Sequence, residues 1–333
     1  MLNKKLRVAL TYNIKPEDLS SAHQQLSHSH DNNNGANDIY AEWDSAETIN
    51  ALKDAIAKHH DVILIEADDN AFIKLKEQRP EIVFNVAEGA HGISREAQIP
   101  AMLDMLQIPD TGSDPLTLTT CLDKARTKEI LAYHNIPTSK FVLLTSSTEV
   151  DKVDLTFPLM VKPVGEGSSK GIFDSSLVNN LDDLYKLANE MFAKYNQPII
   201  VEEFLPGREF TVALLGNGDS VEVLPIVEIN LDQLPSSLQP IYSYEAKWIA
   251  DTRDNPLNIF TCPAKINGEL ERQISETAIK TFKIMRCRDW CRIDMRLDTN
   301  GIPNIIELNP LPGILPDPKD NSCFPKAART AGY

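Results

Sequence analysis

The run Arg292-Ile293-Asp294-Met295-Arg296-Leu297, then Asp298-Thr299-Asn300-Gly301, then Ile302-Pro303-Asn304-Ile305-Ile306-Glu307-Leu308-Asn309 constrains this chain more than any other segment. It reads as a β-hairpin. Asn300-Gly301 is the preferred pair for a two-residue type I′ turn, which sets Thr299 opposite Ile302 and, counting outward, Asp294 opposite Glu307 and Arg292 opposite Asn309. Strand side chains repeat every two residues, so all four share one face. Like charges directly opposite one another destabilise a sheet, and two carboxylates ~4 Å apart repel by about 4 kcal/mol at an effective dielectric of 20. A positive group therefore belongs between them. Carboxylate and amide oxygens suit a hard divalent cation, Mg²⁺ or Mn²⁺, and Mg²⁺ is commonly shared between one or two carboxylates and substrate phosphates. The alternative is a solvated hairpin with chance acids. Glu307 and Asn309 standing in an otherwise apolar strand weigh against it.

Charge narrows the partners. With 48 acidic and 33 basic residues the net charge is −15, which argues against a broad nucleic-acid footprint and against binding to an anionic membrane surface. Any phosphate ligand must then be met by local cations. No run of 18 apolar residues occurs, and Met1-Leu2-Asn3-Lys4-Lys5 leads into a strand without a signal-peptide apolar region, so a cytoplasmic protein is expected. The five cysteines are scattered, with Cys287 and Cys291 spaced neither as a redox pair nor as a zinc knuckle, and are read as buried thiols.

At 333 residues the chain is long for one core. Strands at 6–12, 62–66 and 81–86 alternate with helical patterns at 45–58 and 95–106, which predicts a parallel sheet with helices on it. The polar stretch 16–38, with His23, His28, His30 and Asp31, reads as a surface insert rather than a metal site. Turn chemistry at 108–115 marks a boundary near 107, followed by a helix at 122–134. A second unit runs to about 215, with strands at 140–144, up to Lys162, at 198–204 and at 209–215, and a helix at 181–194. The remainder holds a strand at 221–229, an irregular stretch at 234–256, a helix at 269–285 and the hairpin. Three α/β subdomains are expected, at 1–107, 108–215 and 216–333. Long irregular stretches inside compact domains are usually functional or disordered.

Val164-Gly165-Glu166-Gly167-Ser168-Ser169-Lys170-Gly171 follows a strand ending in Lys162 and offers unencumbered backbone N–H groups and hydroxyls to an anion. It matches neither the P-loop nor the dinucleotide fingerprint. Lys162 closes an apolar strand, where a lysine is seldom buried without a partner. The segment 199–209 gives a strand, a turn and a second strand, whose backbone can serve an adenine ring while Glu209 accepts from ribose hydroxyls; alone, it is equally a surface hairpin.

In order, Leu122-Asp123-Lys124, Val161-Lys162-Pro163, Gly167-Ser168-Ser169-Lys170-Gly171, Val201-Glu202-Glu203-Phe204, Gly207-Arg208-Glu209-Phe210-Thr211-Val212, Tyr244-Glu245-Ala246-Lys247 and Glu307-Leu308-Asn309-Pro310-Leu311-Pro312-Gly313 resemble the ATP-grasp superfamily, most closely its D-alanine:D-alanine ligase branch. The resemblance spans roughly 80–320. It implies an ATP-dependent carboxylate-amine ligase working through an acyl phosphate, an ATP site between the central and C-terminal subdomains, amino-acid substrates and a homodimer. By that resemblance Lys124 and Lys162 contact ATP phosphates, Ser168, Ser169 and Gly171 close over them, Glu202, Glu203, Phe204 and Leu205 frame the adenine, and Glu209 holds the ribose. Asp294, Glu307 and Asn309 match the Mg²⁺ ligands, Arg292 the arginine that steadies the reacting groups, Lys247 a lid lysine, and Gly313 a substrate-binding backbone.

The amino-acid end departs from the family pattern. The glycine-rich turn and its amine-binding glutamate after the first strand are missing, and Glu42, with Glu47 second, is the substitute offered here. Asn85-Val86-Ala87-Glu88-Gly89-Ala90-His91-Gly92 replaces another family segment, making Glu88 and His91 substrate candidates in a shifted register. Trp248 stands where tyrosine is common, which bears on which amino acids fit. The chain ends at Tyr333, where relatives usually continue into a final helix. D-alanyl-D-alanine is the leading product, a ligase for L-amino acids or for a specialised amine and acid is the first rival, and an ATP-binding protein without ligation or a kinase are the others.

Overall fold

Arg7–Tyr12 forms β1, followed in the computed structural model by α1 (Ala46–Ala57), β2 (Asp61–Glu66), α2 (Ala71–Gln78), β3 (Ile82–Asn85) and α3 (Gln98–Leu106). Residues 4–16, 40–252 and 254–333 are described, so the histidine-bearing insert, His23, His28, His30 and Asp31 included, lies outside the described residues. The strands run parallel in the order β2-β1-β3, with Leu10 level with Leu64 and Phe84. That is the sheet expected from strands alternating with helices. Ala9, Ile65, Leu75, Val83 and Leu103 form its core. These elements belong to the first of two units, 1–115, and the second is 116–333.

The helix expected at 122–134 is α5 (Lys124–Tyr133), and a helix not foreseen, α4 (Pro115–Leu122), precedes it. Asp123 separates them. Its backbone is extended and its carboxylate accepts from Arg126 N, capping α5 and placing Lys124 at the first helical position. Then come β4 (Phe141–Leu144), β5 (Leu159–Pro163), β6 (Leu177–Val178), α6 (Leu181–Tyr195) and β7 (Ile199–Glu203), an antiparallel sheet in the order β4-β7-β5-β6. One face packs Leu159, Val161, Ile199 and Val201 against Leu184 and Met191 of α6. The other packs Ile200 against Ala125 of α5.

The last sheet is built from β8 (Glu209–Leu215), β9 (Glu222–Val223), β10 (Val227–Ile229), β11 (Phe260–Thr261), β12 (Trp290–Leu297) and β13 (Pro303–Asn309), in the order β11-β10-β8-β12-β13 with β9 on β8. The strand at 209–215, read from the sequence with the preceding unit, lies in the middle of this sheet. Its alternate residues Phe210, Val212 and Leu214 fill the same core as Ile293, Met295 and α7 (Gly268–Ile284), which supplies Ile274, Ala278 and Phe282. The strand expected at 221–229 is split around Leu224-Pro225-Ile226 into β9 and β10. A helix not foreseen, α8 (Cys323–Ala331), packs Phe324 and Ala327 against Ala213 and Val227. Among the described residues, no helix is long and apolar enough to cross a membrane. All five cysteines are free thiols, but Cys262 and Cys323 are only half-buried.

The hairpin reaches its expected pairing by an unexpected route. Asp298 N donates to Ile302 O at 3.0 Å and Gly301 N to Asp298 O at 3.1 Å, so the loop is Thr299-Asn300-Gly301, three residues rather than two, with Gly301 at φ +77°. Near the turn Leu297 therefore faces Pro303 and Met295 faces Ile305, one residue off the predicted register. A bulge at Ile306 restores it, and Asp294 faces Glu307 and Arg292 faces Asn309. The extra residue has a further effect: Ile305 and Glu307, two apart, would share a face in a regular strand. Here Ile305 lies in the core with Leu308, while Glu307 turns to the polar face.

Candidate active site

One face of the last sheet is a lattice of charged and polar side chains. On β8 and β12, Glu209 lies opposite Arg296 and Thr211 opposite Asp294. Asp294 is held by Arg292, whose Nε donates at 3.1 and 3.2 Å and Nη2 at 3.0 Å, by the Thr211 hydroxyl, and by Asn309 Nδ2 at 3.2 Å. Glu307 lies 3.6 Å from Lys124 Nζ and 3.9 Å from Arg292 Nη2. Burial pushes the Glu307 carboxyl up, but Lys124, Arg292 and Lys162 outweigh that and hold it far below the usual carboxylate range. Arg292 is affected in the opposite sense. Burial disfavours its charge, yet Asp294 beside it raises its pKa.

Lys124, Lys128 and Lys162 converge from α5 and β5. Lys124 Nζ donates to Glu166 O in the glycine loop. Lys162, at 5% exposure, has the partner a buried lysine requires: Glu202 Oε2 at 3.1 Å. Lys128 is 1% exposed and lies 3.5 Å from Glu202 Oε1. Burial raises the Glu202 carboxyl, and the two lysines more than reverse that. Burial lowers Lys128 to about 8.

The glycine loop and the segment 242–251 are tied together. Ser168 and Ser169 adopt φ +50° and +60°, a conformation that costs an L-residue roughly 1–2 kcal/mol each. Ser169 Oγ donates to Tyr242 O at 3.1 Å and Trp248 Nε1 to Ser168 O at 3.1 Å. Gly171 has φ +75°, and a Cβ there would strike the Pro163 ring and come within 3.2 Å of Tyr195 Cζ. Within the irregular stretch expected at 234–256, Glu245–Ala250 forms a short π-helical turn. Glu245 accepts from Asp174 N at 3.2 Å, and Tyr244 N donates to Ile172 O at 2.7 Å. Lys247 lies 5.1 Å from the Trp248 ring, and burial, with the Arg292 charge adding, lowers it to about 8.

The other candidates are placed as follows. Glu203 accepts from Thr156 N at 3.2 Å and lies 3.7 Å from Lys140 Nζ. Arg296 Cζ lies over the Phe204 ring, 4.6 Å from the ring centroid, and Leu205 next in the chain is half-buried. Arg296 Nη1 donates to Glu209 at 3.2 Å, yet burial still raises the Glu209 carboxyl. Gly313 O accepts from Ser322 Oγ at 3.1 Å. In the first unit Glu42 is clamped by Arg95, Nη2 at 2.6 Å and Nε at 3.2 Å, so its carboxylate is already engaged. Glu47 is exposed in the first turn of α1, and His91 is exposed with its carbonyl accepting from Gln98. Glu88 is raised well above the usual range, first by burial and then by Glu96, Glu42 and Asp44.

Sequence reasoning missed Lys128, Glu166, Thr211 and Arg296. Thr211 and Arg296 were findable, two residues from Glu209 and Asp294 on the same strand faces. Lys128 was signalled by its position one helical turn after Lys124.

The candidate metal donors Asp294, Glu307 and Asn309 are two carboxylates and an amide, and oxygen donors of this kind suit a hard cation such as Mg²⁺. Among the described residues no cluster of three or more His, Cys, Asp or Glu that could hold a metal forms. The model for the D-ala D-ala ligase C-terminus matches residues 130–333. The chain belongs to the D-alanine–D-alanine ligase family. Uncharacterized protein y4sG of Sinorhizobium fredii is 36% identical over 282 residues, 82% of this chain and 79% of that protein. A D-alanine–D-alanine ligase of Cupriavidus taiwanensis is 31% identical over 252 residues, 75% of this chain and 71% of that one. The D-alanine–D-alanine ligase of Bacillus anthracis, solved with ATP, aligns with a TM-score of 0.65 at 21% identity, covering 98% of this chain and 92% of that one. The ATP-grasp fold expected from the sequence is thereby the fold of this chain.

Proposed function

We propose that this family member is an ATP-dependent ligase joining the carboxylate of one amino acid to the amine of another, with D-alanine and D-alanine the leading pair. One observation carries the reading: Asp294, Glu307, Asn309 and Arg292 share a sheet face beside Lys124 and Lys162. Amide formation from a carboxylate is uphill and lacks a leaving group. Transfer of the γ-phosphoryl of ATP to a carboxylate oxygen gives an acyl phosphate and ADP. Attack by the second amine, losing its proton, then expels phosphate. In the first step an anion attacks an anion, so Lys124, Lys162 and Arg292 offset the repulsion and orient the reactants. Mg²⁺ held by Asp294, Glu307 and Asn309 would neutralise charge on the phosphoryl oxygens. Ser168, Ser169 and Gly171, tied to the segment 242–251, would keep water from the acyl phosphate.

Glu202, Glu203, Phe204 and Leu205 are assigned to the adenine, Glu209 to the ribose, Lys247 and Gly313 to the reacting groups, and Glu88, Glu42, His91 and Trp248 to the amino acids. Glu88 is favoured over Glu42 for the substrate ammonium, because Arg95 already clamps Glu42. A homodimer in the cytoplasm completes the reading.

The test is ADP release with ATP and Mg²⁺ across D- and L-amino acids, with mass detection of products. D-alanyl-D-alanine formation supports the leading pair, another amide supports the retuned ligase, and ADP release without any amide overturns ligation in favour of a kinase. The second reading, a ligase for other amino acids, is favoured by Trp248, whose indole donates to Ser168 O where the family presents a hydroxyl. Accordingly, Trp248→Tyr is expected to change the ratio of kcat/KM between amino acids by about 10-fold or more while ATP KM stays within about 3-fold. An unchanged substrate profile removes Trp248 from the pocket.

A further inference from the structure

Lys124 and Lys128 stand four residues apart on α5 and so project from the same helix face. Lys124 reaches the glycine loop and Glu307. Lys128 reaches neither, and its burial is more complete. Its ammonium donates to Thr138 Oγ1 at 2.6 Å and Ser139 Oγ at 3.0 Å, and faces Glu202 Oε1 at 3.5 Å. A buried ammonium is tolerated when it is paired and hydrogen-bonded, and here each partner leads elsewhere.

The first path runs to Lys162. The two oxygens of Glu202 are divided, Oε1 toward Lys128 and Oε2 toward Lys162 at 3.1 Å. Two ammoniums share one carboxylate, so the trio carries a net positive charge. The second path runs to the hairpin bulge. The Thr138 hydroxyl donates to Ile305 O at 2.8 Å, and Ile305 N donates to Pro137 O at 2.8 Å. Ile305 immediately precedes the extra residue that turns Glu307 to the polar face.

We propose that Lys128 is a positioning residue for nucleotide binding: by sharing Glu202 it leaves the Lys162 ammonium able to turn to a phosphate, and through Thr138 it secures the bulge that presents Glu307. The inference rests on the ATP site proposed above. Without the Lys128 charge, Glu202 and Lys162 become a closed neutral pair, and a phosphate must compete with a buried carboxylate for the ammonium. Truncating one partner of a buried charge pair weakens binding chiefly through the group left behind.

The experiment titrates the full chain with the non-hydrolysable ATP analogue AMP-PNP at fixed Mg²⁺, for the unaltered protein, Lys128→Met, Lys128→Gln and Lys128→Arg, each with a thermal melt. Lys128→Gln retains donors for Thr138 and Ser139 without the charge, and carries the comparison should Lys128→Met not fold. The uncharged variants are expected to bind about 10-fold or more weakly, and Lys128→Arg within about 3-fold of the unaltered protein. A folded Lys128→Gln that binds normally overturns the proposal, as does a folded Lys128→Arg as weak as Lys128→Gln, since charge would then not be what matters. If the unaltered protein does not bind AMP-PNP, the ATP site itself falls, a result distinct from loss confined to the variants.

Discussion

Glu307→Gln is expected to lower turnover by about 10³-fold while shifting the melting temperature by no more than about 4 °C. Glutamine preserves the volume and one acceptor oxygen, so what is removed is charge. That charge is one of the two carboxylates facing each other across β12 and β13, and Lys124, Arg292 and Lys162 hold it ionised against burial. The fold is expected to survive its loss. The strand is anchored by Ile305 and Leu308 in the core on its other face, and Lys124 keeps its bond to Glu166 O. Steady-state rates at increasing Mg²⁺ check the assignment. A rate near that of the unaltered enzyme at saturating Mg²⁺ removes Glu307 from the metal site. A large fall in melting temperature assigns it to stability instead.

Glu307 also shows how far the sequence could be read. Its partner, Asp294, was inferred from counting back from Asn300-Gly301, and the pairing is as inferred. The turn is not. A looser loop and the bulge at Ile306 each shift the register by one residue, and the shifts cancel. The turn dipeptide reports local preference, whereas the bulge answers a conflict between two faces: Ile305 must be buried and Glu307 must not. The parallel order β2-β1-β3 was legible because apolar strands alternate with helical patterns. The helix α5 was legible, but α4 before it escaped, because the turn residues Asp110-Thr111-Gly112-Ser113-Asp114-Pro115 run straight into its first turn. The placement of β8 escaped for another reason: Phe210, Val212 and Leu214 declare a buried face but not which core it joins. At the site, residue types that bear charge at strand spacing could be found. Their pairings could not, since Arg95 clamping Glu42 and Lys128 sharing Glu202 depend on chain segments far apart in sequence.

Arg292→Lys separates charge from geometry at the site and is expected to lower kcat by about 10³-fold or more with nucleotide binding retained. Arg292 directs Nε and Nη2 to Asp294 at 3.0 to 3.2 Å, and Nη2 also lies 3.9 Å from Glu307. A planar guanidinium can hold a metal-site carboxylate through one edge and still offer N–H groups to the oxygens of a transferring phosphoryl group or an acyl phosphate. A lysine ammonium is a single point of charge and serves one of these at a time. Asp294 raises the pKa of Arg292 against the effect of burial, so the guanidinium stays charged across the pH range in which the enzyme is assayed. The difference between arginine and lysine is then one of shape, not of protonation. Single-turnover ADP formation, measured beside AMP-PNP affinity, distinguishes the two roles. If the lysine variant keeps more than about a tenth of the rate, Arg292 is a counter-charge for Asp294 and the fork is not used. If both rate and nucleotide affinity collapse together, its main task is to hold the Asp294 side of the hairpin in place. A loss confined to the rate places the guanidinium on the reacting groups, because only an interaction made in the transition state lowers kcat without weakening the bound nucleotide.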